Sequence, residues 1–243
     1  MKNSHDLAPN SFGGLRVAIT GGTSGLGLAL LREFLGRGAR IAFVARTRRV
    51  VERVAREHPG SHGIAGDVSK KEDIHPIALQ ITGALEGLDV LINNASDLGP
   101  APLELLADTE CEDLERALAT NLVGPFRLTK ALLGALAASA REGRGAVVLN
   151  ISSDAAINPY PRWGAYGASK AALHNLTRIW NEELQTEGIH FLSLDPGDMD
   201  TPLHALAVPD ADRSRLKRPE TAAIELADAI GTRLAQREEA ART

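Results

Sequence analysis

The 243-residue chain has one cysteine, Cys111, and only 4% aromatic residues. One thiol can neither close an intramolecular disulfide nor build a cysteine-rich metal cage, so a stapled secreted scaffold and a zinc module are both disfavoured. A reducing, cytoplasmic compartment is the expected location. The seven histidines show no HExxH motif, and the one pair four apart, His58 and His62, spans the Pro59-Gly60 breaker, so no metal is expected. Positive charge is not in surplus: 27 Lys and Arg face 31 Asp and Glu, leaving a net charge of −4. That balance offers nothing to neutralise a phosphate backbone, so no nucleic-acid partner is expected. Long apolar runs are missing too. The segments Ala131 to Ala140 and Ala146 to Leu149 fall well short of the roughly 20 residues that cross a bilayer, so no membrane span is expected. Met1 to Gly14 lacks the apolar stretch of a secretion signal and reads as a flexible tail.

What is present is an alternation of β-branched runs with segments of helical period. The runs are Arg16 to Ile19, Arg40 to Val44, Ser61 to Ala65, Leu88 to Ile92, Ala146 to Ile151 and Ile189 to Leu194. Helical patterns lie between them at Gly25 to Leu35, Thr47 to Glu57, Lys71 to Leu85, Cys111 to Ala140 and Gly164 to Glu187, with a last one from Pro219 to about Gln236. Repeated strand-helix units predict a single α/β domain over 15–238 with a doubly wound parallel sheet. Val90-Leu91-Ile92 and Ala146 to Leu149 are apolar throughout, as strands covered on both faces must be. Residues 198–218, with Pro202, Pro209 and mixed charge, are expected to form an irregular lid, and 239–243 a tail. In such a sheet ligands bind beyond the carboxyl ends of the strands, which selects the residues after each strand for chemistry.

After the first strand comes Thr20-Gly21-Gly22-Thr23-Ser24-Gly25-Leu26-Gly27, running straight into a helix. Exposed N–H groups and the positive end of the helix dipole suit a pyrophosphate, and glycine lets backbone approach it closely. The alternative is a loop that needs positive φ only for packing. At the end of the second strand the acid expected for the ribose of NAD is absent, and the sequence reads Val44-Ala45-Arg46-Thr47-Arg48-Arg49. Arg46 can pair with a 2′-phosphate, so NADP(H) is favoured, with NAD(H) as the alternative. Asp67 and Val68, after the third strand, are placed to position an adenine. Tyr166 and Lys170 are four apart and share one helix face, so an ammonium can lie beside a phenol. Positive charge favours phenolate, which makes the tyrosine a candidate general acid/base.

Four motifs occur in order: the TGxxxGxG turn at Thr20 to Gly27, Asn93-Asn94-Ala95, the YxxxK pair at Tyr166 and Lys170, and Pro196-Gly197 with Thr201. With them the chain resembles the short-chain dehydrogenase/reductase family, in its short single-domain branch, over about Leu15 to Thr201. The resemblance implies a Rossmann-like fold and an NAD(P)-dependent enzyme that interconverts a secondary alcohol and a ketone. It implies that Ser153, thirteen positions before Tyr166, binds the substrate oxygen, with Ser152 the competing choice. It implies that Asn121 helps hold a water beside Lys170, the alternative being a polar residue that kinks its helix. Lys170 would orient the cofactor ribose, Asn94 and Ala95 would line it, and Pro196, Gly197 and Thr201 would hold the nicotinamide carboxamide. Tyr160, Arg162, Trp163, His204 and Leu206 are candidate walls of the substrate pocket.

Three departures stand out. Ser96 replaces the glycine that usually follows Asn-Asn-Ala, and Asp198 and Asp200 make the lid acidic. The glycine-rich seventh strand common in this branch has no counterpart, so six strands are expected. The long helices at 111–140 and 164–187 remain available, which predicts at least a homodimer, or a tetramer with a further contact. A non-catalytic NADP(H)-binding regulator or scaffold of the same fold is the competing reading; it has no need of the Asn, Ser, Tyr and Lys set.

Overall fold

The computed structural model describes residues 11–240, with side chains through 236. Six strands form one parallel sheet in the order β3-β2-β1-β4-β5-β6. They are β1 (Arg16–Thr20), β2 (Arg40–Ala45), β3 (Ser61–Ala65), β4 (Val90–Asn93), β5 (Ala146–Ile151) and β6 (Ile189–Leu194). The crossovers run through α1 (Gly25–Gly36), α2 (Arg48–Glu57), α3 (Lys71–Leu85), α4 (Cys111–Leu118), α5 (Gly124–Arg141) and α6 (Gly164–Leu184). α7 (Pro202–Ala207) and α8 (Pro219–Ala240) follow the last strand.

Alternation of side chains along each strand splits the core in two. Val17, Ile19, Ile41, Phe43 and Leu149 pack with Leu30, Phe34, Leu226 and Ile230 of α1 and α8. Ala18, Val44, Ile64, Leu91 and Val148 pack with Ile77, Ile81, Leu132 and Leu136 of α3 and α5. The sheet is therefore doubly wound. The strand order reverses beside β1, so the carboxyl ends of β1 and β4 diverge into a crevice there.

Several expectations change in tertiary context. The predicted helix 111–140 is interrupted by a π turn at Ala119–Val123, centred on Asn121, whose carboxamide is tied to neighbouring segments. The lid is not wholly irregular: Pro202 occupies the first turn of α7, and Thr201 caps it by accepting the His204 N–H at 3.2 Å. The packed core also takes in a residue before Leu15. Residues 1–10 of the expected tail lie outside the described residues, but Phe12 is buried, stacked on Phe34 at 5.2 Å, with the Arg37 guanidinium 5.3 Å from its ring centroid. At the other end α8 runs to Ala240, past the expected Gln236, and 241–243 lie outside the described residues.

Candidate active site

A cavity of about 710 Å³ opens at the carboxyl ends of the strands. Every residue selected from the sequence for cofactor or catalysis lines it, except Asn121. Tyr160, Trp163, His204 and Leu206 line it as well; Arg162 does not.

The glycine turn is built from both sides. Thr20 Oγ1 accepts the N–H groups of Asn94 and Ala95, each at 3.0 Å, and Asn94 Nδ2 donates back to Thr20 O at 2.9 Å. Gly21 adopts φ 71°, and a Cβ on Gly27 would lie 2.1 Å from Gly21 O and 2.6 Å from Asn94 Nδ2. Backbone alone fits at Gly27. The α1 N-terminus carries no side-chain cap and no acid in its first turn, so its N–H groups are left for an anion. Both features fit the pyrophosphate of a dinucleotide. At the end of β2, Ala45 presents no carboxylate, and the Arg46 guanidinium forms no salt bridge among the described residues. Asp67 Oδ1 accepts both the N–H and the hydroxyl of Ser69, which fixes the carboxylate at the cavity wall beside the buried Val68.

At the centre, α6 carries Tyr166 and Lys170 along one buried face, and the Lys170 ammonium lies 5.5 Å from the Tyr166 ring centroid. Burial pushes the phenol up to about 12, against the hydroxyls of Ser153 and Ser96, which favour the phenolate. Burial lowers the lysine to about 8, opposed by the charge of Asp195. Both serines after β5 line the cavity, and Ser153 is the one whose hydroxyl favours the Tyr166 phenolate. Ser153 Oγ also accepts the Ala155 N–H and donates to Asp154 Oδ1, each at 3.2 Å.

Asn121 sits behind this centre, only 1% exposed. Its Nδ2 donates to Asp97 O at 2.7 Å and Ser169 Oγ at 2.8 Å; its Oδ1 accepts from Asp97 N at 2.8 Å and Ser96 Oγ at 3.2 Å. Four bonds use the full capacity of a carboxamide.

The segment after β6 lines another side of the cavity. Asp195 Oδ1 accepts the Gly197 N–H at 2.9 Å across a turn where Gly197 takes φ 78°. Asp200 is paired with Arg213 through two contacts, so the acidic lid is partly neutralised by its own arginine, and Asp198 lies 4.0 Å from His204. Asp154 accepts the Tyr160 hydroxyl at 2.7 Å. Reading the sequence missed the structural part of Thr20 and the places of Ser96, Asp154 and Asp195 on the wall. Position after a strand end was the available signal for the last three.

The family model described as short chain dehydrogenase matches residues 16–212. Glucose 1-dehydrogenase of Gluconobacter oxydans is 32% identical, covering 90% of this chain and 84% of that one. The 2-(R)-hydroxypropyl-CoM dehydrogenase of Xanthobacter autotrophicus is 31% identical over 92% of this chain and 85% of its own. Among solved structures, a 3-ketoacyl-(acyl-carrier-protein) reductase from Brucella melitensis complexed with NADH superposes with a TM-score of 0.82 at 27% identity, covering 89% of this chain and 90% of that one. An actinorhodin polyketide ketoreductase variant with NADPH gives 0.81 at 26%, covering 91% and 92%. The chain belongs to the short-chain dehydrogenase/reductase family and is an NAD(P)-dependent oxidoreductase acting on CH–OH groups.

Proposed function

We propose that this oxidoreductase prefers NADP(H) and interconverts a secondary alcohol and a ketone, with Tyr166 as general acid/base. The observation that carries the reading is the buried Tyr166 on the cavity wall, with Ser153 lining the same cavity and Lys170 one helical turn along. Hydride transfer is the chemistry that a bound nicotinamide supplies. For ketone reduction, Ser153 turns its one hydrogen from Asp154 Oδ1 to the substrate oxygen and Tyr166 gives that oxygen its proton; for alcohol oxidation Tyr166 takes the proton back. Burial keeps the phenol protonated at rest, and a Lys170 ammonium one turn along favours its ionised form during turnover.

Lys170 Nζ spends one hydrogen on Ile151 O, leaving others for the ribose hydroxyls. The saturated Asn121 carboxamide has none to spare for a water, so a relay water beside Lys170 rests on backbone oxygens instead. Gly21, Thr23, Ser24, Gly25, Leu26 and Gly27 cradle the pyrophosphate, Arg46 pairs with the 2′-phosphate, and Asp67 and Val68 take the adenine. Asn94 and Ala95 line the ribose, while Pro196, Gly197 and Thr201 orient the carboxamide so that one ring face meets the substrate. The lid, 198–218, covers the substrate side.

The half-exposed Phe126 and Ile179 on α5 and α6 favour a homodimer through these helices, testable by sedimentation. The lone Cys111 fits a cytoplasmic compartment.

The enzymatic reading is tested with NADPH on a panel of ketones and secondary alcohols. Turnover that falls about 10²- to 10⁴-fold in Tyr166→Phe, with cofactor affinity retained, is expected. Cofactor binding without turnover, unchanged by Tyr166→Phe, would give the scaffold reading instead.

A further inference from the structure

The two ends of the cavity differ in charge. Arg46, after β2, lies three strand spacings from β5, roughly 14 Å across the sheet. Arg46 and the buried Lys170, whose ammonium already donates to Ile151 O, are the only lysine or arginine side chains lining the cavity among the described residues. Beyond β5 and β6 the lining carries Asp154, Asp195 and Asp198 instead, with His204 beside them. An anionic group placed at that end would face carboxylates with no guanidinium to offset them.

The wall next to the reacting phenol is apolar. Leu203 and Ala207 of α7, with Trp163, pack against the buried group of Leu98, Ala155 and Tyr166, and the Trp163 ring meets the Tyr166 ring edge-on at 5.6 Å. Further out, Tyr160, Leu206 and Val208 line the same cavity while each stays more than a third exposed. The acid best placed to bind substrate hydroxyls is already engaged, because each oxygen of Asp154 holds a hydroxyl, one from Ser153 and one from Tyr160. Apolar side chains left half in water at the mouth of a cavity are covered when an apolar ligand enters it. They come from two separate segments, 160–163 and the lid, so the group that covers both is larger than a methyl.

We propose that the substrate is an uncharged ketone or secondary alcohol whose reacting carbon carries an apolar ring, seated between Trp163 and α7. The proposal rests on the reading that alcohol and ketone interconvert at Tyr166. It names the substrate class by exclusion of charge and by the apolar wall, and Leu206 and Asp198 are the residues that set the preference.

The chain has two tryptophans, so Trp180→Phe leaves Trp163 as its one indole, on the cavity wall. With oxidised NADP bound a ketone cannot react, and its binding is read by Trp163 fluorescence. Cyclohexyl methyl ketone is compared with 4-acetylcyclohexanecarboxylate, the same skeleton bearing an anion, and with dihydroxyacetone. The neutral ring ketone is expected to bind about tenfold or more tightly than either, and kcat/KM with NADPH in the unsubstituted chain to follow the same order. Leu206→Ser should weaken the ring ketone about three- to tenfold, and more than it weakens dihydroxyacetone. Asp198→Lys should narrow the gap between the two ring compounds about threefold or more. Both side chains are exposed, and circular dichroism identifies any variant that fails to fold. If the carboxylate or dihydroxyacetone matches the neutral ring ketone, or if neither substitution moves the ranking, the proposal is overturned. Turnover of all three compounds without preference rejects the substrate class alone. Selective binding of the ring ketone with no turnover rejects the catalytic reading and supports the class as that of the ligand.

Discussion

Lys170 Nζ donates to the carbonyl oxygen of Ile151 at 2.8 Å, tying the buried face of α6 to the last residue of β5. The ammonium thus sits in a site whose hydrogen-bonding partner is uncharged. Burial lowers its pKa to about 8 from 10.5 in the unfolded chain, with Asp195 opposing. Between these values the unfolded chain holds more protons than the folded one, so stability rises with pH across the window; below about 8 both states are charged and the cost of burial is complete. Lys170→Met should remove that rise, as measured by urea unfolding of the cofactor-free protein at either end of the window. An identical slope in the variant would show that Lys170 is not the titrating group.

Gly27→Ala should weaken cofactor binding at least tenfold. The new Cβ must displace either Gly21 O, 2.1 Å away, or Asn94 Nδ2, and both shape the turn that would hold the pyrophosphate. Gly36→Ala, at the end of the same helix and with open space around it, is the control and should leave affinity unchanged. Fluorescence titration with NADPH and NADH measures both.

Arg46→Ala should cost NADPH roughly tenfold or more in affinity, the scale of a lost hydrogen-bonded charge pair, and leave NADH nearly untouched. Equal losses for the two cofactors, or no loss for NADPH, would reject its pairing with the 2′-phosphate.

Asp89→Asn should destabilise the chain by about 3–5 kcal/mol without altering the site. Asp89 lies at the opposite end of the sheet, before β4, fully buried, with Arg16, Arg144 and Ser139 donating to it. Burial alone would raise its pKa, but bonds from Arg144, Arg16 and Ser139 and the Arg16 N–H outweigh it and hold the carboxyl below the ordinary range. Its contribution is present above the unfolded value of about 4 and is lost as pH falls toward the folded one. The gap between the two proteins in chemical denaturation should therefore narrow on acidification; a constant gap would mean the charge is not what stabilises.

Much of this was legible in the order of residues. The runs Ser61 to Ala65, Ala146 to Ile151 and Ile189 to Leu194 became strands with those bounds, because strand period and turn residues are local signals. The absent acid after β2 and the four-residue spacing of Tyr166 and Lys170 could likewise be read directly. Phe12 could not, because its burial depends on Phe34 and Arg37, which belong to α1 and its carboxyl end. α7 was hidden by its short length and its prolines. The π turn at Asn121 was hidden because helical period alone does not register one extra residue in a turn.

Local pattern by itself determined the doubly wound sheet, the glycine turn and the identity of the tyrosine and lysine, since hydrophobic period and fixed spacings act over a few residues. Which groups share the cavity wall with Tyr166, and whether Asn121 has a bond left for water, was decided only when β4, the π turn, β5 and α6 converged. Hydrogen bonding depends on distance and direction between atoms, and residues 25 or 48 positions apart acquire these only through packing.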